Sequence, residues 1–255
     1  MREEVDSKQY TVNSGEGTSP SETVNCKLPT ANSPSETVNC ELSTVNSLRI
    51  AIMVSGQGRG SNMQAIIDGC KSGKIAGVVV LVIGVTDDAP AMERARDQAV
   101  PTLAISPKAF DTADAYDDAV FSALQGNSIG LICLAGYMRV LGQKIIDAYR
   151  DRIMNVHPAL IPSFCGKGMY GHHVHEAVIA RGVKFTGVTV HFVDEVYDSG
   201  PIILQTIVGV DSDDTPDSIA AKVLVQEHKT YTDAISLFAQ GRLRVVDRKV
   251  TILPA

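Results

Sequence analysis

A histidine and an asparagine two positions apart could perform acid–base chemistry in this chain. They lie in the segment Asn155-Val156-His157-Pro158, which follows a short apolar run and is therefore expected at the carboxyl end of a strand. An imidazole titrates near neutral pH, and residues two apart in an extended chain point to the same side. A titratable ring beside an uncharged amide donor suits stabilisation of an oxyanion in acyl transfer. A structural histidine bonded to the backbone is the alternative.

A second candidate is the acidic turn that follows the apolar segment ending His191-Phe192-Val193. The turn contains Asp194, Glu195 and Asp198 and closes with Gly200-Pro201. An acid held beside His157 would raise the pKa of the imidazole and orient its ring. For Asp194 and Glu195 individually, a solvated acidic turn is the alternative.

A glycine-rich loop, Ser55-Gly56-Gln57-Gly58-Arg59-Gly60-Ser61-Asn62, joins the first predicted strand to the first predicted helix. Glycines let backbone N–H groups turn inward, and the start of the helix carries a partial positive charge, so the loop suits a phosphate. The glycine spacing is GxGxG rather than GxGxxG, which disfavours a dinucleotide site. An ordinary strand-to-helix turn with Ser61 as the N-cap is the alternative.

Metal and covalent chemistry are disfavoured by the sequence. His172, His173, His175 and Glu176 are close in sequence, but zinc needs three or four convergent ligands, and adjacent histidines at a helix start point in different directions. The five cysteines are odd in number and lack CxxC spacing, which argues against a disulfide scaffold and for a reducing compartment. The one GxSxG pattern, at Gly126–Gly130, precedes an apolar run, whereas the nucleophile elbow of many serine hydrolases follows a strand, so a serine hydrolase of that type is disfavoured. We therefore expect no metal.

The elements that must position these residues are predicted by alternating hydrophobic patterns. Apolar runs at Leu48–Val54, Gly77–Val85 and Ile129–Gly136 are separated by amphipathic segments, including helices predicted over about 111–125 and 216–239. This alternation predicts an α/β fold: an open, mostly parallel twisted sheet with helices on both faces and ligands at the carboxyl ends of the strands. The segment GRLRVV near the end is expected to add a short strand or to lie along the surface.

The first 47 residues differ in composition from the rest. They are rich in Ser, Thr, Asn, Pro and Glu, and the sequence SPSETVNC occurs twice, at 19–26 and 33–40. Each repeat has too few apolar side chains to bury a stacked core, so we predict a disordered, repeat-containing tail over 1–47 and a catalytic domain over 48–255. Acidic side chains outnumber basic ones in this tail, which is unlike a transit peptide and favours a cytoplasmic location.

Composition limits the possible partners. The chain has 255 residues, 44% of them hydrophobic, which is enough for a substantial core. Its 23 basic and 29 acidic side chains give a formal charge of −6, without the basic surface that nucleic acid requires. No run of about 18 apolar residues occurs, so no membrane-spanning helix is expected.

Five motifs in one order resemble the phosphoribosylglycinamide formyltransferases: SGxGxxSN (55–62), LAGYMRVL (134–141), NVHPALIPSFCGKGMYG (155–171), VHFVDEVYDSGPIILQ (190–205) and VQEH (225–228). The resemblance implies the Rossmann-like formyltransferase fold and a one-carbon transferase of de novo purine (IMP) biosynthesis. Such an enzyme moves the formyl group of 10-formyltetrahydrofolate to the amine of glycinamide ribonucleotide through a tetrahedral intermediate. The partners would be these small molecules, with neither nucleic acid nor membrane, and the enzyme would be a monomer or a homodimer.

The resemblance also implies roles for individual residues. It matches Asn155, His157 and Asp198 to a catalytic trio and Glu227 to an acid that holds ribose hydroxyls. It matches the substrate phosphate loop to Gly58, Arg59, Gly60, Ser61 and Asn62, and the folate pocket to Met138, Arg139, Val140, Leu141, Asp194 and Glu195. A 10-formyltetrahydrofolate hydrolase, another formyltransferase such as the methionyl-tRNA enzyme, and a non-enzymatic nucleotide-binding module remain the alternatives.

Overall fold

Strands and helices alternate along the chain. The computed structural model describes residues 47–56 and 58–255, so the predicted tail lies outside the described residues except for Ser47. The strands are β1 (Leu48–Val54), β2 (Gly77–Gly84), β3 (Thr102–Ala104), β4 (Leu131–Leu134), β5 (Ile153–His157), β6 (Phe185–Phe192), β7 (Ile202–Gly209), β8 (Leu243–Val246) and β9 (Lys249–Ile252). The helices are α1 (Ser61–Lys71), α2 (Pro90–Asp97), α3 (Ala113–Gly126), α4 (Gln143–Ala148), α5 (His172–Arg181) and α6 (Pro216–Ala239), with a 3-10 turn at Pro107–Ala109.

Seven strands form one sheet in the order β3-β2-β1-β4-β5-β6-β7. Neighbouring strands from β3 to β5 run parallel, whereas β6 is antiparallel to both β5 and β7. The α/β prediction of an open, mostly parallel sheet is confirmed. Strand order reverses at β1, with β2 on one side and β4 on the other, and such a reversal opens a crevice at the carboxyl ends of the strands.

Each face of the sheet carries its own apolar core. Along β1, Ile50 and Ile52 point into one core, and Ala51 and Met53 point into the other. The buried apolar side chains of α1, α2 and α6 and Val178 of α5 pack in the first core, and those of α3 and α4 pack in the second. The prediction of helices on both faces is therefore confirmed.

The last strands form a separate hairpin rather than an extension of the main sheet. The strand predicted from GRLRVV is β8, and it pairs antiparallel with β9, which the sequence patterns did not predict. Val246 pairs with Lys249, which leaves Asp247 and Arg248 as a two-residue turn in which Asp247 has a positive φ of 54°. Val245 and Val250 pack against the first core, so the hairpin is attached to the domain.

Candidate active site

Strand β5 ends with the residues that the sequence singled out. Asn155 and His157 are two apart on this strand and therefore lie on the same face, while Val156 points to the opposite face. In the antiparallel register with β6, Asn155 pairs with His191 and His157 pairs with Thr189. The His157 side chain is only 4% exposed, so its protonation depends on its protein neighbours more than on solvent.

Asp198 reaches this strand end from the turn between β6 and β7. One carboxylate oxygen, Oδ2, lies 3.7 Å from His157 Nδ1 and accepts a 2.9 Å hydrogen bond from the backbone N–H of Gly166. The other, Oδ1, lies 3.7 Å from His191 Nε2. Asp198 has a positive φ of 52°, a region that few residues other than glycine adopt. The structure thus brings Asn155, His157 and Asp198 together.

The two nitrogens of His157 have different environments. Nε2 lies 2.8 Å from the carbonyl oxygen of Phe164, and since a carbonyl only accepts, the ring donates its Nε2–H there. Nδ1, which faces Asp198, is therefore the nitrogen that can gain and lose a proton. Burial lowers the pKa of His157 and outweighs the charge of Asp198 and the Phe164 carbonyl, which both raise it. The expectation that an acid would raise this pKa holds for the contribution of Asp198 alone; the net shift is downward because the ring is desolvated.

The pKa of the Asp198 carboxyl is shifted downward, which keeps the group charged. Burial raises its pKa, but the nearby rings of His191 and His157 and the hydrogen bond from the N–H of Gly166 outweigh burial, so the pKa lies below its ordinary value. A carboxylate therefore stands beside His157 at neutral pH. That charge stabilises an imidazolium whenever His157 takes up a proton.

His191 is a site residue whose role the sequence reasoning missed. Its Nδ1–H donates to the carbonyl oxygen of Phe192 at 2.8 Å, so in the neutral ring Nε2 carries a lone pair. Asn155 Nδ2 lies 3.3 Å from this nitrogen and donates to it. The contact orients the amide of Asn155 and leaves its second N–H free for a ligand. The signal available in the sequence was the alternation of β6, which places His191 on the same face as Thr189.

A cavity of about 880 Å³ opens beside these residues, a size typical of small-molecule sites. Its walls include the Gly136–Leu141 segment after β4, the turn from Val193 to Asp198, and the Gly166–Gly171 segment before α5. All the residues matched to a folate pocket lie in these walls: Met138, Arg139, Val140, Leu141, Asp194 and Glu195. Glu195 also accepts hydrogen bonds from Arg150 and Gln143.

The glycine-rich loop contributes less to the cavity than the sequence suggested. Gly60, rather than Ser61, is the N-cap of α1, and its backbone is left-handed with φ 72°. A Cβ on Gly60 would lie 2.9 Å from the Cβ of Ala91, so a side chain there must displace α2. Of the loop residues that the structure describes, Ser55, Gly56 and Asn62 line the cavity, whereas Gly58, Arg59, Gly60 and Ser61 do not.

Glu227 of α6 and Asn62 of α1 meet in the wall near this loop. Asn62 Nδ2 donates to Glu227 Oε2 at 3.4 Å, and Asn62 Oδ1 is buried without a partner among the described residues. Burial raises the pKa of Glu227 to about 7, and the hydrogen bond from Asn62 opposes the shift. Two buried acceptors that face a cavity fit a ligand that carries hydroxyl donors.

The histidines at the start of α5 do not converge. His172 and His173 are exposed and lie 3.6 Å and 3.2 Å from the Glu176 carboxylate, whereas His175 is buried. Within residues 47–56 and 58–255, no group of three or more His, Cys, Asp or Glu side chains is placed to hold a metal ion. Cys165 lies near the site, but burial and the charge of Asp198 raise the pKa of its thiol, which makes it a poor nucleophile.

Comparison with known proteins identifies the family. The family model described as formyl transferase matches residues 48–235, most of the chain. This chain belongs to the formyl transferase family. The matched residues include β1 to β7, α1 to α5, α6 as far as residue 235, and every site residue described above. The β8–β9 hairpin lies beyond the matched residues.

Individual formyl transferases show the same similarity. The phosphoribosylglycinamide formyltransferase of Escherichia coli (strain K12) is 39% identical over 198 residues, which are 78% of this chain and 90% of that protein. The chloroplastic phosphoribosylglycinamide formyltransferase of Arabidopsis thaliana is 36% identical over 197 residues, 77% of this chain and 67% of that protein. The crystal structure of glycinamide ribonucleotide transformylase 1 from Symbiobacterium toebii superposes with a TM-score of 0.76 at 42% identity, covering 81% of this chain and 94% of that one.

No helix in the part of the chain that the structure describes is long and apolar enough to cross a membrane.

Proposed function

We propose that this formyl transferase moves the formyl group of 10-formyltetrahydrofolate to the primary amine of glycinamide ribonucleotide, a step of de novo purine (IMP) biosynthesis. The observation that carries the proposal is that Asn155, His157 and Asp198 line one cavity together with Met138–Leu141 and the Asn62–Glu227 pair. The similarity to phosphoribosylglycinamide formyltransferases supports the choice of substrate.

Different parts of the cavity wall suit the two substrates. We assign the folate to Met138, Arg139, Val140, Leu141, Asp194 and Glu195, since all six line the cavity. We assign the substrate phosphate to the loop Gly58, Arg59, Gly60, Ser61 and Asn62. We assign the ribose hydroxyls to Glu227, which offers buried acceptors together with Asn62 Oδ1, an atom without a hydrogen-bond partner among the described residues. The bound folate supplies an electrophilic formyl carbon.

Asn155 would stabilise the oxygen on which negative charge develops as the amine attacks. Its amide is oriented by His191, so the free N–H is in place before the reaction begins. A donor placed in advance for developing charge typically contributes about 3 kcal/mol to transition-state stabilisation. Because His191 orients the amide in advance, an uncharged donor can stabilise the negative oxygen.

His157 would accept the proton that the attacking amine must lose and pass it to the folate nitrogen, as the bond between that nitrogen and the formyl carbon breaks and tetrahydrofolate leaves. Its lowered pKa keeps the ring neutral near pH 7, so Nδ1 is available as a base, and Asp198 stabilises the imidazolium once it forms. No protein nucleophile enters this sequence of events. The raised pKa of the Cys165 thiol agrees with a direct transfer from folate to amine.

Formyl transfer to glycinamide ribonucleotide, measured against water as acceptor, tests the proposal. Release of tetrahydrofolate should depend on glycinamide ribonucleotide, and Asn155→Ala and His157→Ala should each abolish most of it. Release at the same rate without the amine would favour a hydrolase, and release that requires methionyl-tRNA would favour another formyltransferase. Binding of the nucleotide without any turnover would favour a non-enzymatic module.

We further propose that residues 48–255 form the catalytic domain of a cytoplasmic enzyme that acts as a monomer or homodimer and binds no nucleic acid. The formal charge of −6 supports the last point, and cysteines without CxxC spacing support a reducing compartment. Light scattering of the purified chain measures the oligomeric state.

A further inference from the structure

Arg248 projects from the turn of the β8–β9 hairpin toward the turn that carries Asp198. Its Nη2 donates to both the carbonyl oxygen and the hydroxyl of Ser199, the latter at 3.2 Å, and its Nη1 lies 3.4 Å from Asp194 Oδ2. Asp194 and Ser199 stand at the two ends of the turn that contains Asp198. One guanidinium therefore bridges both ends of this turn.

The turn has few hydrogen bonds of its own. Asp194 Oδ1 accepts from the N–H of Val196 at 3.0 Å, and the N–H of Ser199 donates to the carbonyl of Val196 at 3.3 Å. Asp198 itself has a left-handed backbone, which is unfavourable for a residue with a side chain unless the surroundings impose it. Since its oxygens lie 3.7 Å from both His157 and His191, a small displacement of the turn would weaken both interactions.

The hairpin that carries Arg248 is itself anchored. The backbone N–H of Leu253 donates to the carbonyl of Arg242, and Arg242 Nε donates to the carbonyl of Leu253, both at 2.8 Å. Val245 and Val250 pack against the first core. The Arg248 side chain is 64% exposed, so the charge of its ion pair with Asp194 contributes little to stability. The planar guanidinium, with its donors in a fixed arrangement, can instead hold Asp194 and Ser199 at a set separation.

We propose that Arg248 is a positioning residue for formyl transfer, which holds the Asp194–Ser199 turn so that the Asp198 carboxylate faces His157 and His191. This inference rests on the proposed function for its catalytic consequence. Its structural part, the dependence of Asp198 on Arg248, can be measured without turnover.

The first test measures the pKa of His157 by NMR, from the pH dependence of its imidazole signals. The charged and titratable groups that face His157 are Asp198, His191 and His175, and only Asp198 raises its pKa. If Arg248→Ala lets the turn move, the pKa of His157 should fall further. Arg244→Ala is the matched control, because it removes the same charge from an exposed position of the same hairpin. An unchanged His157 titration in Arg248→Ala overturns the inference.

The second test is kinetic. Arg248→Ala should lower kcat about tenfold and raise KM for the folate, since Asp194 is released, while KM for glycinamide ribonucleotide stays near its original value. Arg248→Lys should restore only part of kcat, and millimolar guanidinium should partly restore Arg248→Ala. Equal losses of activity and of Tm in Arg248→Ala and Arg244→Ala would show that the hairpin matters only for folding and would overturn the inference. If no variant transfers formyl to the nucleotide but the His157 titration still shifts, the proposed function fails and the dependence of Asp198 on Arg248 stands.

Discussion

Asn155 and His191 lie directly opposite each other across the antiparallel pair of β5 and β6, and the amide nitrogen of Asn155 is 3.3 Å from His191 Nε2. The Nδ1–H of His191 is donated to its neighbouring backbone carbonyl, which leaves Nε2 as the acceptor. A histidine on the neighbouring strand thus orients the amide donor of Asn155.

Replacing His191 by phenylalanine tests this orientation. His191→Phe keeps a ring of similar size but removes the acceptor, so Asn155 can rotate, and kcat should fall by up to about a hundredfold, as misplacement of a catalytic group allows. Both KM values should change little. Steady-state kinetics and Tm are measured together; a native kcat in a folded variant would show that Asn155 does not depend on His191.

The pairing of Asp198 with His157 predicts a non-additive loss. Asp198→Asn keeps the size of the side chain but removes the charge that stabilises the imidazolium, so kcat should fall by orders of magnitude while substrate binding stays near normal. Adding His157→Ala should cost little more, because the two residues act as a unit. Losses that multiply in the double variant would mean that the two residues work independently.

The left-handed N-cap of α1 predicts a selective binding defect. Gly60→Val places a branched side chain at φ 72° and within 3 Å of Ala91, so the loop must shift. KM for glycinamide ribonucleotide should rise far more than KM for the folate. Gly209→Val is the matched control, since no heavy atom lies within 4 Å of its added Cβ and the residue does not line the cavity. Equal increases in both KM values would point to general misfolding instead.

Glu227 predicts a pH dependence of stability. Its pKa rises from 4.5 to about 7 on folding, so the folded state binds more protons than the unfolded state between these values. The associated stabilisation is complete below pH 4.5 and is lost as the pH rises through 7, with a magnitude of at most about 3 kcal/mol. Wild type should therefore lose stability relative to Glu227→Gln as the pH rises from 5 to 8. Urea unfolding of both proteins at several pH values measures the difference; a constant difference contradicts the assignment.

Much of the fold could be predicted from local patterns. The bounds of β1 and α6 match the sequence predictions, because β1 is one apolar run and α6 begins at a capping box formed by Thr215 and Ser218 with a proline in its first turn. The short α4 was not predicted, since six residues hold too little periodic pattern to distinguish a helix from a loop. The direction of β6 was not predicted either.

The candidate site, like the fold, could be predicted only in part from the sequence. Asn155 and His157 could be placed at a strand end by their own segment, whereas the nearness of Asp198 required a family resemblance because His157 and Asp198 are 41 positions apart in the sequence. The role of His191 depends on the β5–β6 register, and that of Arg248 on a hairpin turn, neither of which composition or periodicity encodes. The net shift of the His157 pKa depends on burial, which only the packed structure supplies.

The separation of two cores by one sheet means that the two proposed substrates are held from opposite layers. Tyr137 and Leu141 of the folate wall belong to the α3–α4 layer, whereas α1 and α6, which carry Asn62 and Glu227, belong to the other. A repacking of Val120 or Ile145 would thus alter the fit of the folate and leave the nucleotide end untouched. Substitutions in the α3–α4 layer could therefore adapt the protein to a different one-carbon donor, while the α1–α6 layer keeps its affinity for the nucleotide.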